Sequence, residues 1–387
     1  MFAFYPCYNI SCHSTPTITN MSKVTQRSIT YVNNSTKPSI TEKEIDLDTC
    51  YNDNEIVIKV HAASINPVDG LTHATCSGYI CRKELKTYGR DFAGVIIRRG
   101  SKVNEKWQLD ANVNGQFKHL WGAKGTFTNY FICDPESVKS INVFKPVKND
   151  LTEKYNDFIV NSAWPLVFGT GYSALYDKKQ KSTKNSKILI IGASTSVALA
   201  CVRIAKEILN IGTVVGICNS KQIEHNKANG FDYLIAYNDK EKPTVPTVLK
   251  LIKEQFNGEK FDLIFDSVGS SEFFPVIQDV LKPSSTNSQY ITIVGDEVMD
   301  FKDKTLLGKM DMRPFLRKLN PLRKFNYDFH LLENKFEYME LGAKMIQDGT
   351  YLPEIDSVYK FDDFEKAFER IDSHMAKGKV VLDMSDI

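Results

Sequence analysis

Hydroxyl side chains gather at one turn of this chain. Residues 187–206 read KILIIGASTSVALACVRIAK: an apolar, β-branched run, a break at Gly192, then Val197, Cys201, Ile204 and Ala205 at helical spacing. A strand that passes straight into a helix points the helix N-terminus, with its unpaired N–H groups and positive dipole end, out of a sheet edge. Such a terminus suits a pyrophosphate. The turn lacks the usual glycines, because Ala193, Thr195 and Ala198 stand where a G-x-G-x-x-G fingerprint would fall. At the middle position a missing side chain normally lets the backbone approach the phosphates. Thr195 must therefore hold them off or offer its hydroxyl, together with Ser194 and Ser196, as a donor.

A dinucleotide also needs its ribose recognised. After the next apolar run, Thr213–Cys218, an NAD-binding domain would place Asp or Glu, but the chain has Asn219, Ser220 and Lys221, and no acid falls between Glu207 and Glu224. A hydroxyl and an ammonium suit a 2′-phosphate, which favours NADPH over NADH. Alternatively, Ser220 is an N-cap and Lys221 a solvated first-turn residue. Tyr237 either packs on adenine or closes a strand. Asp266 ends another apolar run, and Val268 and Gly269 follow it.

The whole composition is that of an ordinary globular chain with room for two cores. It has 387 residues, a net charge of +2 and eight scattered cysteines with no C-x-x-C pair. The charge gives no pull toward nucleic acid, and the cysteines suit a reduced, intracellular chain without structural zinc. No run approaches the ~20 apolar residues of a membrane-spanning helix. Residues 1–20 contain no Lys, Arg, Asp or Glu, so neither a secretory signal nor an Arg-rich transit peptide is expected there. The expectation is a disordered tail over 1–27, with Met21 an alternative start.

Positioning falls to two kinds of element. Residues 28–160 are expected to be β-rich, with strands at 56–60, 93–98 and 129–133 punctuated by Gly and Asn. From about 161, short apolar runs at Lys187–Ile191, Thr213–Cys218, Tyr233–Ala236, 261–265 and 290–294 alternate with helical patterns, the signature of a doubly wound parallel sheet. Residues 300–330 mix bulky apolar side chains with cations, and 331–387 return to complete the first domain.

Several strings then carry a resemblance: Ser64-Ile-Asn66-Pro67-Val68-Asp69, Gly89-Arg90-Asp91-Phe-Ala-Gly94, Phe261-Asp-Leu-Ile-Phe-Asp266-Ser-Val268-Gly269 and Lys377-Gly-Lys379-Val-Val. In this order they resemble the medium-chain dehydrogenase/reductase superfamily, zinc-free quinone oxidoreductase branch. GASTSV, VVGIC, FDSVG and FFPVI look closest to its fungal Yim-type members. The resemblance implies an α/β fold, with a GroES-like β-rich catalytic domain (28–160 and 331–387) and a Rossmann-type nucleotide domain (161–330). Asn66 would sit beside a nicotinamide, with Asp69, Tyr79 and Tyr88 lining the cleft. Asn66-Pro67 alone reads equally as a turn. Thr170, Ser194, Thr195, Ser196, Val197, Ser220, Lys221, Tyr237, Val268, Gly269 and Lys379 are the expected cofactor residues.

A zinc-dependent member would need a Cys near Asn66 and a His-Glu pair near Arg90 and Asp91, and the sequence has neither. The expected chemistry is hydride transfer from NADPH to a quinone or α,β-unsaturated carbonyl without zinc, the cofactor being oriented and desolvated by the protein. No proton donor can be assigned. A second expectation is a catalytically weak reductase fold acting as a binding or stress-response protein. The family implies a location in the cytoplasm with lipid-droplet and mitochondrial association, and a homodimer. Residues 304–324 offer either a peripheral lipid-surface contact or a loop packed on an interface.

Overall fold

The computed structural model describes residues 22–79, 81, 83–176, 182–297, 313–320 and 324–387. Residues 1–21 of the expected tail over 1–27 lie outside them, as do residues 304–312 and 321–323 of the basic stretch. The first strand starts at Lys23, inside the stretch expected to be a tail. Alternating side chains and an antiparallel partner hold it in place.

Among the described residues, sixteen strands run in chain order: β1 (Lys23–Tyr31), β2 (Ser39–Asp46), β3 (Ile56–Ile65), β4 (Lys86–Thr87), β5 (Asp91–Arg99), β6 (Asn112–Gln116), β7 (Tyr130–Cys133), β8 (Ile141–Val143), β9 (Lys187–Ile191), β10 (Thr213–Cys218), β11 (Tyr233–Ala236), β12 (Leu263–Asp266), β13 (Gln289–Thr292), β14 (Tyr327–Phe329), β15 (Ile355–Lys360) and β16 (Lys379–Asp383). They make three sheets. A three-stranded sheet has the order β2-β1-β4. A seven-stranded sheet runs β15-β16-β3-β5-β6-β8, with β7 also pairing β3. The C-terminal strand β16 lies antiparallel to β3, pairing Val380 with Ile65, so the end of the chain completes the N-terminal sheet.

The third sheet is six-stranded and parallel, in the order β11-β10-β9-β12-β13-β14. That is the doubly wound arrangement, whose switch point falls between β9 and β12. Alternation along β9 explains why both faces need helices. Ile188 and Ile190 join the core beneath the helix Ser196–Arg203, while Leu189 and Ile191 join the opposite core with Val248 and Ile252 of the helix Thr244–Gln255.

One helix ties the two sheets together. Pro165–Tyr176 begins with a proline, which suits a first turn. It packs so closely on Ser196–Arg203 that a Cβ at Gly171 would lie 3.2 Å from the Cys201 nitrogen. The described cations of the basic stretch are mostly paired with acids. Arg317 meets buried Asp296 at 2.7 Å and lies 3.9 Å above the Phe274 ring, Lys318 bonds Asp328, and Arg313 bonds Glu297.

Candidate active site

A buried carboxylate organises the catalytic-domain side. Asp91 opens β5, is wholly buried, and lies just past the last β3–β5 pair, Ala62 with Ala93, where the end of β3 brings Ser64 and Asn66 within reach. Its Oδ2 accepts from Ser64 Oγ at 3.1 Å, Asn66 Nδ2 at 2.8 Å and Lys379 Nζ at 3.1 Å. Its Oδ1 accepts the Leu166 amide at 2.9 Å, in the first turn of the helix Pro165–Tyr176. Lys379 Nζ also donates to Asn66 Oδ1 at 2.5 Å. A carboxylate held by an ammonium, an amide, a hydroxyl and a helix N-terminus is fully compensated in the absence of water.

Asn66 does more than close a turn: its Nδ2 also reaches the Ser64 carbonyl, at 3.5 Å, but its shorter side-chain bonds go to Asp91 and Lys379. Its amide joins Asp91 to Lys379, and the expected Lys379 is brought beside it by the pairing of β16 with β3. The Asn66 amide N–H goes to Asp69 Oδ2 at 2.8 Å, so Asp69 caps the helix Pro67–Ala74. Asp69 is itself buried, and burial pushes its carboxyl up to about 7, although the Arg90 guanidinium pulls the other way. Arg90 Nε lies 3.9 Å from Asp69 Oδ1, and neither atom has a hydrogen-bond partner. Elsewhere Arg90 donates to Thr72 Oγ1 and to the His119 carbonyl, and burial drives His119 down to about 4.

At the switch point the Thr195 hydroxyl faces inward. Thr195 is the N-cap of Ser196–Arg203: its Oγ1 accepts the Ala198 amide at 3.2 Å and lies 3.0 Å from Ser267 Oγ. Ser267 Oγ in turn donates to the Ile191 carbonyl at 2.9 Å. Gly192 takes φ +87°, and a Cβ there would meet Val268 Cγ1 at 2.5 Å, so glycine is required at this one position. Ser194 Oγ accepts from Asn226 Nδ2 at 2.8 Å. Among the described residues the Ser196 and Val197 amides find no acceptor, so two N-terminal donors remain for an anion beside the Ser196 hydroxyl.

Asp266 shapes the neighbouring loop. It accepts the Val268, Gly269 and Ser270 amides and the Tyr290 hydroxyl, and burial raises its carboxyl to about 6. The Val268 and Gly269 amides are thus occupied by Asp266. Beyond β10, Asn219 Nδ2 donates to the Tyr237 hydroxyl at 3.2 Å, and Ser220 and Asn238 bond each other reciprocally. Lys221 and Tyr237 are exposed beside this pair.

The structure thus gathers the expected residues into three groups: Asn66, Asp69 and Lys379; Ser194, Thr195, Ser196, Val197, Val268 and Gly269; and Ser220, Lys221 and Tyr237. Thr170, on the tying helix, bonds back to the Leu166 carbonyl. Tyr79 is fully exposed, and Tyr88 is buried among Tyr31, His73, Phe127 and Phe368 rather than lining a cleft. Sequence reasoning missed the hub role of Asp91 and the partners Ser267 and Asn226. A carboxylate opening an otherwise apolar strand, DFAGVII, is the signal that points to Asp91.

The fold and the two sites define a two-domain oxidoreductase scaffold, and comparison with known proteins agrees. Residues 52–142 match the alcohol dehydrogenase GroES-like domain, and residues 229–382 match the zinc-binding dehydrogenase family. Quinone oxidoreductase from Coxiella burnetii superposes with a TM-score of 0.69 at 18% identity, covering 93% of this chain and all of that one. CurK enoyl reductase gives 0.69 at 17%, covering 93% and 99%. Protein YIM1 of Saccharomyces cerevisiae (strain YJM789) is 47% identical over 361 residues, 93% of this chain and 98% of that protein. The chain belongs to the medium-chain dehydrogenase/reductase superfamily, with YIM1 among its relatives.

Proposed function

We propose that the protein is an NADPH-dependent, zinc-independent reductase of quinones or α,β-unsaturated carbonyls. The observation that carries this reading is the switch point. There, two unpaired amides of a helix N-terminus stand after β9, beside the loop after β12 that Thr195 and Ser267 join to it at 3.0 Å. These residues fit a dinucleotide. Ser196 and Val197 would hold its pyrophosphate, Ser220 and Lys221 its 2′-phosphate, and the loop after Asp266 its nicotinamide side. The cofactor, when bound, supplies a hydride to an electron-poor carbon.

The residues of the chain do the rest. The Asp91–Lys379–Asn66 network fixes the floor of the catalytic domain and joins it to the helix Pro165–Tyr176, so the substrate and cofactor halves hold a set geometry. The donor set supports zinc independence. Carboxylates that a zinc site would use are here satisfied by Lys379, Asn66 and a helix amide, with Arg90 beside Asp69. Among the described residues no group of His, Cys, Asp and Glu could hold a metal. The test is NADPH oxidation with a panel of quinones and conjugated aldehydes, before and after dialysis against a chelator. Turnover unaffected by the chelator supports the reading, and turnover lost with the metal and restored by zinc overturns it.

A second reading, a reductase fold retained as a binding protein, is favoured by Thr195, whose hydroxyl takes the Ala198 amide that a phosphate would otherwise use. Cofactor binding with no turnover on any acceptor would favour it.

A further inference from the structure

Two thiols lie together just past the C-terminus of the helix Pro67–Ala74. Cys76 is wholly buried, and its amide bonds back to the His73 carbonyl at 3.0 Å, which fixes it against the last turn of that helix. Cys81 is partly exposed, and its amide turns back to the Ser77 carbonyl at 2.8 Å. This turn folds the second side chain toward the first, so the two thiols hydrogen-bond to one another. Cys76 sits in the apolar cluster that holds Ile29, Tyr31 and Tyr88, and Cys81 packs against it. The Tyr31 hydroxyl, buried without a hydrogen-bond partner among the described residues, is in electrostatic reach of both sulfurs.

A buried ammonium completes the group. β4 pairs with β1 in a register that sets Lys86 opposite Tyr31. Lys86 is wholly buried, and its Nζ donates to the Val32 carbonyl at 3.0 Å and to the Glu84 carbonyl at 2.9 Å. The Cys76 thiol donates weakly to that same Val32 carbonyl, at 3.8 Å, so a thiol and an ammonium share one acceptor. Burial and the neighbouring Cys81 push the Cys76 thiol up to about 12, while Lys86 pulls the other way. At rest Cys76 is therefore protonated and inert toward an oxidant in solution. Its thiolate forms only with the ammonium beside it.

We propose that Cys76 and Cys81 are a redox-active dithiol that reduces a hydroperoxide and closes to a disulfide. First the Cys81 sulfur attacks one oxygen of the peroxide. The O–O bond breaks, Cys81 becomes a sulfenic acid, and the other oxygen leaves as an alcohol or water carrying the thiol proton. Then the Cys76 sulfur gives up its proton and attacks the Cys81 sulfur; the S–S bond forms, the S–O bond breaks and water leaves. Two thiols lose two electrons in all, and one hydroperoxide gains them. Cys81 reacts first because it is the partly exposed member of the pair, and Lys86 stabilises the anion that Cys76 must become. Closure ties the turn to the end of the helix that carries Asp69. The site is independent of the proposed function, since neither step uses NADPH or a quinone.

Mass spectrometry of the full chain after a small excess of hydrogen peroxide tests the dithiol. A tryptic digest keeps both cysteines in one peptide, residues 60–82. Closure should make that peptide about 2 Da lighter and closed to alkylation until dithiothreitol is added. Cys50, also partly exposed, should stay open to alkylation in the same sample. Cys76→Ser should stop at a Cys81 sulfenic acid that dimedone traps, and Cys81→Ser should leave Cys76 reduced. Lys86→Met should slow closure by about tenfold and raise the trapped fraction. Where a variant fails to fold, closure in the natural chain decides. Both cysteines still alkylated after peroxide, a Cys81 sulfinic acid without closure, or Cys50 oxidised at the same rate would each overturn the proposal.

Discussion

Asp91 and Asp69 lie a few residues apart in space and meet opposite fates. Asp91 is surrounded by donors, so removing one of them leaves a buried charge uncompensated. Lys379→Met should cost about 3–5 kcal/mol in urea unfolding, and adding Asp91→Asn should recover part of it; a loss below about 1 kcal/mol would show that water reaches the network. Asp69 faces a guanidinium across 3.9 Å with no hydrogen bond between them, and burial lifts it from 3.8 to about 7. The folded protein then holds a proton that the unfolded chain releases at lower pH. Stability from this group is therefore lost as pH rises through that window and stays lowered above about 7. Asp69→Asn, which has no proton to lose, should flatten the fall in unfolding free energy between about pH 4 and 7 by roughly 2–4 kcal/mol. An unchanged pH profile would remove Asp69 from this role.

The strand–turn–helix element at β9 carries the tension between fold and cofactor. Its outline was legible because a five-residue β-branched run and a helical apolar period are local signals, and Gly192 marks the break. The direction of the Thr195 hydroxyl was not legible. Its partner, Ser267, arrives from β12, and only the parallel pairing of β9 with β12 brings the two together. Likewise, Lys379 reads as a cation in a β-strand until β16 is paired with β3, and Asp91 looked like one letter of a motif until its partners were visible. Two predictions belong to this element. Thr195→Ala should cost about 1 kcal/mol of stability through loss of the N-cap. Thr195→Gly should cost only a few tenths yet bind NADPH about tenfold more tightly, because the backbone and the Ala198 amide become accessible to the phosphates. Fluorescence titration and thermal unfolding of both variants separate the two effects.

At the scale of the molecule, buried polar contacts join the two domains, among them Asp91 to the Leu166 amide. The basic stretch adds to this integrity. Arg317 neutralises buried Asp296, which also accepts the Tyr327 hydroxyl at 2.8 Å, so Arg317→Gln should destabilise by about 2–4 kcal/mol. A test of lipid-surface contact should keep Arg317 and replace Lys324 and Arg323, with co-flotation on liposomes as its readout. The central claim concerns the switch point, and one measurement reaches it most directly: titration of the purified chain with NADPH and NADH to near-millimolar concentration, for the natural sequence and for Lys221→Ala. The account predicts saturable binding, tighter for NADPH than for NADH, with the preference lost in Lys221→Ala. No binding of either cofactor, or a preference for NADH, would contradict it.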